Sequence, residues 1–366
     1  MIIGVPREVK VQEYRVALTP EGVSECVENG HVVLIENDAG VGSSISNEDF
    51  TRAGAQILNT AEEVWEKSNL VLKVKEPIEI EYPRMKENQI LFTYLHLAAS
   101  KPCTDALVAS KTTAIAYETV EVDGALPLLL PMSEVAGRMA TQVGAEVLLK
   151  PRGGRGVLLG GVPGVAPGKV VVIGAGIAGL NAAVIAMGMG ADVVVIDRSA
   201  KRLAQIDQIY SGRIKTLMSS TASIQKSICD ADLVIGAVLI PGARAPKLIS
   251  NADVATMKAG SVLVDIAIDQ GGCFEDSKPT THENPTYRVH NSIFYCVANM
   301  PGAVPVTSTY ALTNVTLPFV LQIANYGWER ALQLNPDLAK GLNIHAGKVT
   351  HKAVAEAHGY EFSPVF

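Results

Sequence analysis

Four ionisable side chains follow stretches of sequence that are typical of buried strands. Arg15 lies in the loop after the first predicted strand, Lys75 ends the run NLVLKVK, His96 ends ILFTYLH and Asp269 ends SVLVDIAID. Ligands of open parallel sheets bind outside the carboxyl ends of the strands, so these residues are candidates for one site. Arg and Lys bind carboxylates, His is the general acid or base nearest its working pKa, and Asp orients water or accepts a proton. The set predicts chemistry on a small carboxylate-bearing substrate.

Each of these residues has an alternative interpretation. Arg and Lys side chains at strand ends are commonly solvated surface charges. His96 could be a core histidine whose hydrogen bonds are satisfied. Asp265, in the same predicted strand as Asp269, could instead be the working acid, because burying a carboxylate without a role is costly.

The segment KVVVIGAGIAGLNAAVIA contains G-x-G-x-x-G between a β-branched strand and an apolar helix. Gly174 permits a tight turn, Gly176 allows the backbone to approach a pyrophosphate, and Gly179 allows the helix to pack closely on the strand. The N-terminus of the helix offers unpaired N–H groups to the anion. The pattern predicts a dinucleotide-binding site.

The next predicted strand, VVVID, ends at Asp197, where a carboxylate accepts a hydrogen bond from a ribose 2′-hydroxyl. Its charge would repel a 2′-phosphate, which favours NAD over NADP. Arg198 and Arg202 argue in the other direction, since a nearby arginine can pair with such a phosphate. We predict NAD as the cofactor.

Short apolar runs alternate with helical patterns and predict an α/β fold with mostly parallel sheets. The predicted strands of the first half are 2–5, 32–36, 70–74, 90–94 and 113–117, and the helices are 20–29, 47–54, 61–67 and 102–110. A long helix begins near Met132, and the second series of strands is 169–173, 193–197, 214–217, 233–237, 261–268 and 293–297. After Met300 the pattern predicts only helices, a long one over 307–326 and shorter ones within 343–358.

This order predicts two Rossmann-like, doubly wound parallel-sheet domains joined by long helices. A nucleotide-binding domain over 131–300 is inserted into a substrate domain formed by 1–130 and 301–366. Hinges near Pro131 and Pro301 would connect them, and the cleft between the domains is the default site for a small ligand.

Composition excludes several other classes of protein. With 366 residues, 48% hydrophobic and 19% charged, the chain is long and apolar enough to form folded cores. The net charge of −6 and the lack of a dense Lys/Arg cluster argue against nucleic-acid binding. Five scattered cysteines without a C-x-x-C pair argue against disulfides and a zinc ribbon, and favour a reducing, cytoplasmic compartment.

Two further features of the sequence could suggest a membrane span and a metal site, but neither is predicted. The uncharged stretch 170–191 is long enough for a membrane span, but its glycine spacing favours a strand, a turn and a buried helix. His345, His351 and His358 lack the i, i+4 spacing of a metal-binding helix face, so no metal site is predicted.

Several long segments resemble the alanine dehydrogenase family over essentially the whole chain. They are GVPREVKVQEYRVALTP, LKVKEP, TYLHLAA, PMSEVAGRMA, the glycine motif with VVVID, DIAIDQGG and VANMPGAVPVTSTYALTNVTLP. The resemblance implies reversible oxidative deamination of L-alanine with NAD to pyruvate, ammonium and NADH, by a homohexamer. It also implies that Arg15 and Lys75 bind the substrate and that His96 and Asp269 are the acid/base pair.

The same resemblance implies a set of cofactor contacts, and Met132 and Ser133 are similar to the family's residues at the cleft. The implied cofactor contacts are Ser133, Ile177, Ala178, Asp197, Arg202, Ser219, Val238, Leu239, Ile266, Ala267, Ile268, Asp269, Val297, Ala298, Asn299 and Met300. Three alternatives stay open: an NAD-binding subunit of a transhydrogenase, a dehydrogenase of another small 2-amino acid, and an NAD-sensing module without turnover.

Overall fold

The computed structural model describes residues 1–238 and 245–365, which divide into two units. The first unit comprises Met1–Met132 and Gly302–Phe366, and the second comprises Ser133–Pro301. The strands are β1 (Ile2–Val5), β2 (Val32–Glu36), β3 (Gln56–Leu58), β4 (Leu70–Leu72), β5 (Ile90–Thr93), β6 (Thr113–Ala116), β7 (Lys169–Ile173), β8 (Asp192–Asp197), β9 (Ile214–Met218), β10 (Leu233–Gly236), β11 (Val262–Asp265), β12 (Thr286–Val289), β13 (Ser292–Tyr295), β14 (Leu342–His345) and β15 (Lys348–Val349). The helices are α1 (Pro20–Glu28), α2 (Asn47–Arg52), α3 (Ala61–Lys67), α4 (Lys101–Ser110), α5 (Leu130–Val147), α6 (Ile177–Gly188), α7 (Ala200–Tyr210), α8 (Thr221–Ile228), α9 (Asn251–Ala255), α10 (Pro305–Tyr326), α11 (Trp328–Leu334), α12 (Pro336–Ala339) and α13 (Lys352–His358).

The sheet of the first unit has the order β15-β14-β6-β5-β4-β1-β2-β3. Strands β1 to β6 are parallel to one another, whereas β14 is antiparallel to both β6 and β15. Trp65, Leu107 and Val354, from three different helices, share one buried cluster with strand residues of this sheet. Burial of apolar side chains on both sides of parallel strands explains why these strands read as continuous hydrophobic runs.

The prediction that only helices follow Met300 is wrong. Residues 342–349 form the hairpin of β14 and β15, with Ala346 at φ 48° and Gly347 at φ 77° in its turn. Two positive φ angles are the geometry of the tightest hairpin turns. The buried Leu342 and Ile344 add β14 to β6, so the last part of the chain extends the sheet.

The sheet of the second unit has the order β12-β13-β11-β10-β7-β8-β9, and only β12 is antiparallel. The first strand of the unit, β7, lies in the middle, with β8 on one side and β10 on the other. Strand order therefore reverses at β7, which is where doubly wound sheets bind ligands. Together the two sheets confirm the predicted fold class of two doubly wound α/β domains.

Two further predictions concern segments of this unit. The predicted strand 261–268 is too long, because β11 ends at Asp265 and a 3₁₀ turn over Ile268–Gln270 follows. Asp269 therefore lies in a turn beyond the strand. The uncharged stretch 170–191 forms β7, a glycine turn and α6, and none of the helices in 1–238 or 245–365 has the length and apolarity needed to cross a membrane.

Candidate active site

Three of the four predicted ionisable residues lie in loops at one edge of the first sheet. Strands β1, β4 and β5 are parallel neighbours, so the loops that follow them leave the sheet at the same edge. These loops carry Arg15, Lys75 and His96 in turn. The fourth residue, Asp269, belongs to the second unit.

Arg15 is a buried cation and not a solvated surface charge. Its side chain is 2% exposed and forms two bonds to the Glu13 carboxylate, Nη2 to Oε2 at 2.5 Å and Nε to Oε1 at 2.7 Å. Nη1 lies 3.0 Å from Sδ of Met132. Burial acts to lower the pKa of Arg15, but the hydrogen bond and the charge of Glu13 outweigh it and raise that pKa. The guanidinium therefore keeps its charge and a defined orientation.

Lys75 is half-buried and follows a buried ion cluster that the sequence analysis did not identify. Glu8 accepts the backbone N–H of Val74 at 2.6 Å and that of Lys75 at 3.5 Å. The ammonium of Lys73 is 0% exposed and lies 3.0 Å from Glu8 and 2.9 Å from Glu81. Lys73 directly follows β4 and is buried, and a buried lysine requires carboxylate partners. The lysine within the apolar run LVLKVK was therefore the sequence signal from which this cluster could have been predicted.

In this cluster, burial and the neighbouring charges both shift the pKa values of Lys73 and Glu8. Burial acts to lower the pKa of Lys73, but the charges of Glu8 and Glu81 raise it above its usual value. Burial raises the pKa of Glu8, which Lys73 opposes and Glu81 and Glu13 reinforce. The cluster holds an ammonium between two carboxylates beneath the loop that carries Lys75.

His96 is exposed, so the interpretation as a core histidine is wrong. Its backbone is left-handed, with φ 47°, and its N–H donates to Oε1 of Glu118 at 2.6 Å. The same carboxylate accepts the Leu95 N–H at 3.2 Å, and its Oε1 lies 3.9 Å from Nδ1 of His96. The ring of Tyr94 stacks against the imidazole with centroids 5.9 Å apart. A left-handed backbone is uncommon for residues other than glycine, and the bond from the His96 N–H to Glu118 stabilises it here.

The glycine motif of the second unit has a geometry that accommodates a pyrophosphate. Gly174 has φ 103°, which L side chains rarely adopt. A Cβ on Gly179 would lie 1.8 Å from the carbonyl oxygen of Gly174, whereas a Cβ on Gly176 would meet nothing within 4 Å. Gly176 is also the N-cap of α6, without a side-chain cap. Open space in front of uncapped N–H groups fits an anion.

Asp197 lies at the end of β8 and faces the same turn. Its Oδ2 accepts the Ala175 N–H and its Oδ1 accepts the Ser199 N–H, both at 2.7 Å. Nε of Arg202 donates to the Ala175 carbonyl at 3.0 Å, and the Ser219 N–H donates to the Asp197 carbonyl at 2.9 Å. The structure thus brings three predicted cofactor residues together around the glycine turn.

The other predicted cofactor residues fall into groups. Ile177 and Ala178 begin α6, and Ser133 lies in α5. Val238, the stretch 266–269 and the stretch 297–300 follow β10, β11 and β13, which are neighbours in the sheet. Ser219 lines a cavity of about 600 Å³ whose other walls include Gln225, Lys247 and Asp253. Leu239 lies outside the described residues.

The two carboxylates near the end of β11 differ in their surroundings. Asp265 is 0% exposed, whereas Asp269 is exposed. Burial raises the pKa of Asp265, although hydrogen bonds from Ser277 and from backbone N–H groups oppose the shift. Within the described ranges, no group of His, Cys, Asp and Glu side chains is arranged to hold a metal ion.

Comparison with known proteins agrees with the sequence resemblance. The family model described as "Alanine dehydrogenase/PNT, N-terminal domain" matches residues 4–136, and "Alanine dehydrogenase/PNT, C-terminal domain" matches residues 140–352. The chain is similar to an alanine dehydrogenase of Mycolicibacterium smegmatis, with 62% identity over 97% of this chain and 96% of that protein.

Solved structures give the same picture. An L-alanine dehydrogenase superposes with a TM-score of 0.96 at 50% identity and covers 98% of this chain and 99% of its own. A transhydrogenase from Sinorhizobium meliloti superposes with a TM-score of 0.82 at 24% identity, over 96% of this chain and 100% of its own, which is a likeness of fold. Because both family models match and the identity extends over nearly the full length, the chain belongs to the alanine dehydrogenase/PNT family.

Proposed function

We propose that the protein is an NAD-dependent L-alanine dehydrogenase that interconverts L-alanine with pyruvate and ammonium. The observation that carries the proposal is the sheet edge of the first unit, where adjacent loops present a buried guanidinium, a lysine and an exposed imidazole. These groups suit a small 2-amino acid. The names of the similar proteins support alanine as that acid.

Arg15 and Lys75 bind the substrate carboxylate. Glu13 fixes the orientation of the Arg15 guanidinium, and Glu8 fixes the backbone at Lys75, so these parts of the site are ordered before substrate binds. Preordered groups lose little entropy on binding and hold Cα in a reactive position. Bound NAD supplies the acceptor for the hydride that leaves Cα.

His96 and Asp269 carry out the proton transfers. His96 exchanges protons with the substrate nitrogen and oxygen, which the exposed position of its imidazole allows. Asp269 positions the water that attacks the oxidised carbon, and its exposure keeps the carboxylate accessible to water. Both residues require ordered loops, since a displaced acid or base lowers the rate steeply.

We also propose NAD and not NADP as the nucleotide. Asp197 holds its carboxylate at the glycine turn through two N–H bonds, where it suits a ribose 2′-hydroxyl and repels a 2′-phosphate. Arg202 donates to a backbone carbonyl through Nε. Fluorescence titration should show tighter binding of NADH than of NADPH, and equal affinities would contradict the assignment.

The family resemblance further supports a homohexamer, and the scattered cysteines support a cytoplasmic location. Light scattering of the purified protein tests the assembly directly.

The activity is tested by following NADH formation with a panel of small 2-amino acids, and NADH consumption with the matching 2-oxo acids plus ammonium. We expect the highest kcat/KM with L-alanine and pyruvate. Turnover of another 2-amino acid in preference to alanine would show that the assignment of alanine as the substrate is wrong. Nucleotide binding without turnover of any acid would favour a transhydrogenase-type subunit or a sensing module.

A further inference from the structure

We propose that Asp265 is a positioning residue that fixes the loop carrying Asp269. The inference rests on the proposed function, which assigns Asp269 to the chemistry. The sequence alone left open whether Asp265 is itself the working acid, and the inference gives it a different role.

Asp265 bonds to backbone on both sides of Asp269. Its Oδ1 accepts the Ala267 N–H at 3.1 Å, and its Oδ2 accepts the Cys273 N–H at 2.8 Å. Oδ2 also accepts the hydroxyl of Ser277 at 2.5 Å. One carboxylate therefore joins the beginning and the end of the loop that presents Asp269.

The loop between these two bonds is tightly folded. Ile268–Gln270 is a 3₁₀ turn, and Gly271 and Gly272 follow with φ 89° and 77°. A Cβ on Gly272 would lie 2.6 Å from Oδ2 of Asp265, so the backbone packs directly against the carboxylate. A change in the carboxylate would consequently move the backbone next to Asp269.

A second contact holds the loop from another side. Nζ of Lys247 donates to the carbonyl of Gly271 at 2.5 Å and to that of Phe274 at 2.8 Å. The Ala245 N–H donates to the Gln270 carbonyl at 3.0 Å. With both ends joined through Asp265 and the middle held by Lys247 and Ala245, the loop has little freedom.

Asp265 itself is unsuited to act on substrate. It is 0% exposed, and both of its oxygens accept bonds from the protein. Asp269 is exposed and carries the accessible carboxylate of the pair. Because its oxygens are occupied by donors of the protein, the buried carboxylate of Asp265 orders the surrounding backbone.

The experiment compares Asp265→Asn with a matched control. Asn keeps the shape of Asp but has one acceptor oxygen, so its amide nitrogen must face the N–H of either Ala267 or Cys273, and that bond is lost. We expect kcat to fall by about 10- to 100-fold, with the pyruvate KM within about threefold, because Arg15 and Lys75 are unchanged.

Asp232→Asn is the control. Asp232 is 5% exposed in the same unit and accepts the Lys169 N–H at 2.8 Å, but it precedes β10 and lies at the amino ends of the strands. Its replacement should lower the melting temperature and leave kcat unchanged. If Asp265→Asn also lowers only the melting temperature, the inference is wrong.

Asp269→Asn separates the inference from the proposed function. If this variant keeps normal turnover, the proposed role of Asp269 fails. If it loses turnover while Asp265→Asn keeps full kcat, only the positioning role of Asp265 fails. Should Asp265→Asn not fold, Ser277→Ala removes one bond to the carboxylate; we expect a smaller fall in kcat, and an unchanged kcat would overturn the inference.

Discussion

Nζ of Lys73 lies 3.0 Å from Oε2 of Glu8, and the side chains are 0% and 3% exposed. Glu81 approaches the same ammonium at 2.9 Å. Removing the cation would leave two buried carboxylates without their partner, which is strongly destabilising, whereas forming such a cluster adds little net stability. The contacts order the loop of Lys75, since Glu8 also accepts the Val74 N–H.

Replacement of Lys73 by Met should lower the free energy of unfolding by about 3–5 kcal/mol. Denaturant unfolding at neutral pH measures this. The matched control is Lys101→Met, because Lys101 is exposed and pairs with Asp105 on the surface of α4. That pair should contribute at most about 1 kcal/mol. Equal effects of the two substitutions would show that burial of Lys73 does not matter to stability.

His96→Ala and Asp269→Ala should each abolish turnover while NADH binding persists. The reason is that the first removes the proposed proton-transfer group and the second the carboxylate that orients water, whereas the glycine turn is untouched. Steady-state kinetics and NADH fluorescence titration measure the two properties. His290→Ala, at an exposed histidine of the second unit, is the control and should keep full activity. Near-normal turnover in either test variant would remove that residue from the mechanism.

Glu118→Gln should lower kcat by about tenfold, because its carboxylate accepts the His96 N–H and stabilises the left-handed backbone there. The amide keeps one acceptor oxygen, but its charge and second acceptor are lost. Glu121→Gln is the matched control, since Glu121 forms an exposed ion pair with Lys340. The prediction fails if both variants show the kcat of the parent protein.

Gly179→Ala should weaken NADH binding by tenfold or more, since its Cβ would lie 1.8 Å from the Gly174 carbonyl and force the glycine turn apart. Gly188→Ala, in the same helix, meets nothing within 4 Å and should bind NADH normally. Fluorescence titration compares the two proteins. If Gly179→Ala retained the parent affinity, the close approach at this turn would not be needed for the nucleotide.

Local patterns predicted most of the fold. The strand, glycine turn and helix around Gly174 depend on residues close in sequence, and backbone conformation and hydrophobic periodicity are local properties. The hairpin of β14 and β15 was not predicted, because a short strand forms only when it pairs with a neighbouring strand. The neighbour of β14 is β6, more than 200 residues away in the sequence. The predicted strand 261–268 was too long at its carboxyl end, since β11 ends at Asp265.

The sequence by itself determined the residue types for carboxylate binding, proton transfer and nucleotide binding, and their order along alternating strands and helices. Only the tertiary structure decided which carboxylates hold them: Glu13 for Arg15, Glu8 for the loop of Lys75, and Glu118 for His96. Two of these partners lie more than 20 residues away in sequence. A buried polar group takes its partner from whatever the folded chain brings within hydrogen-bonding distance, and that is a property of the whole packing.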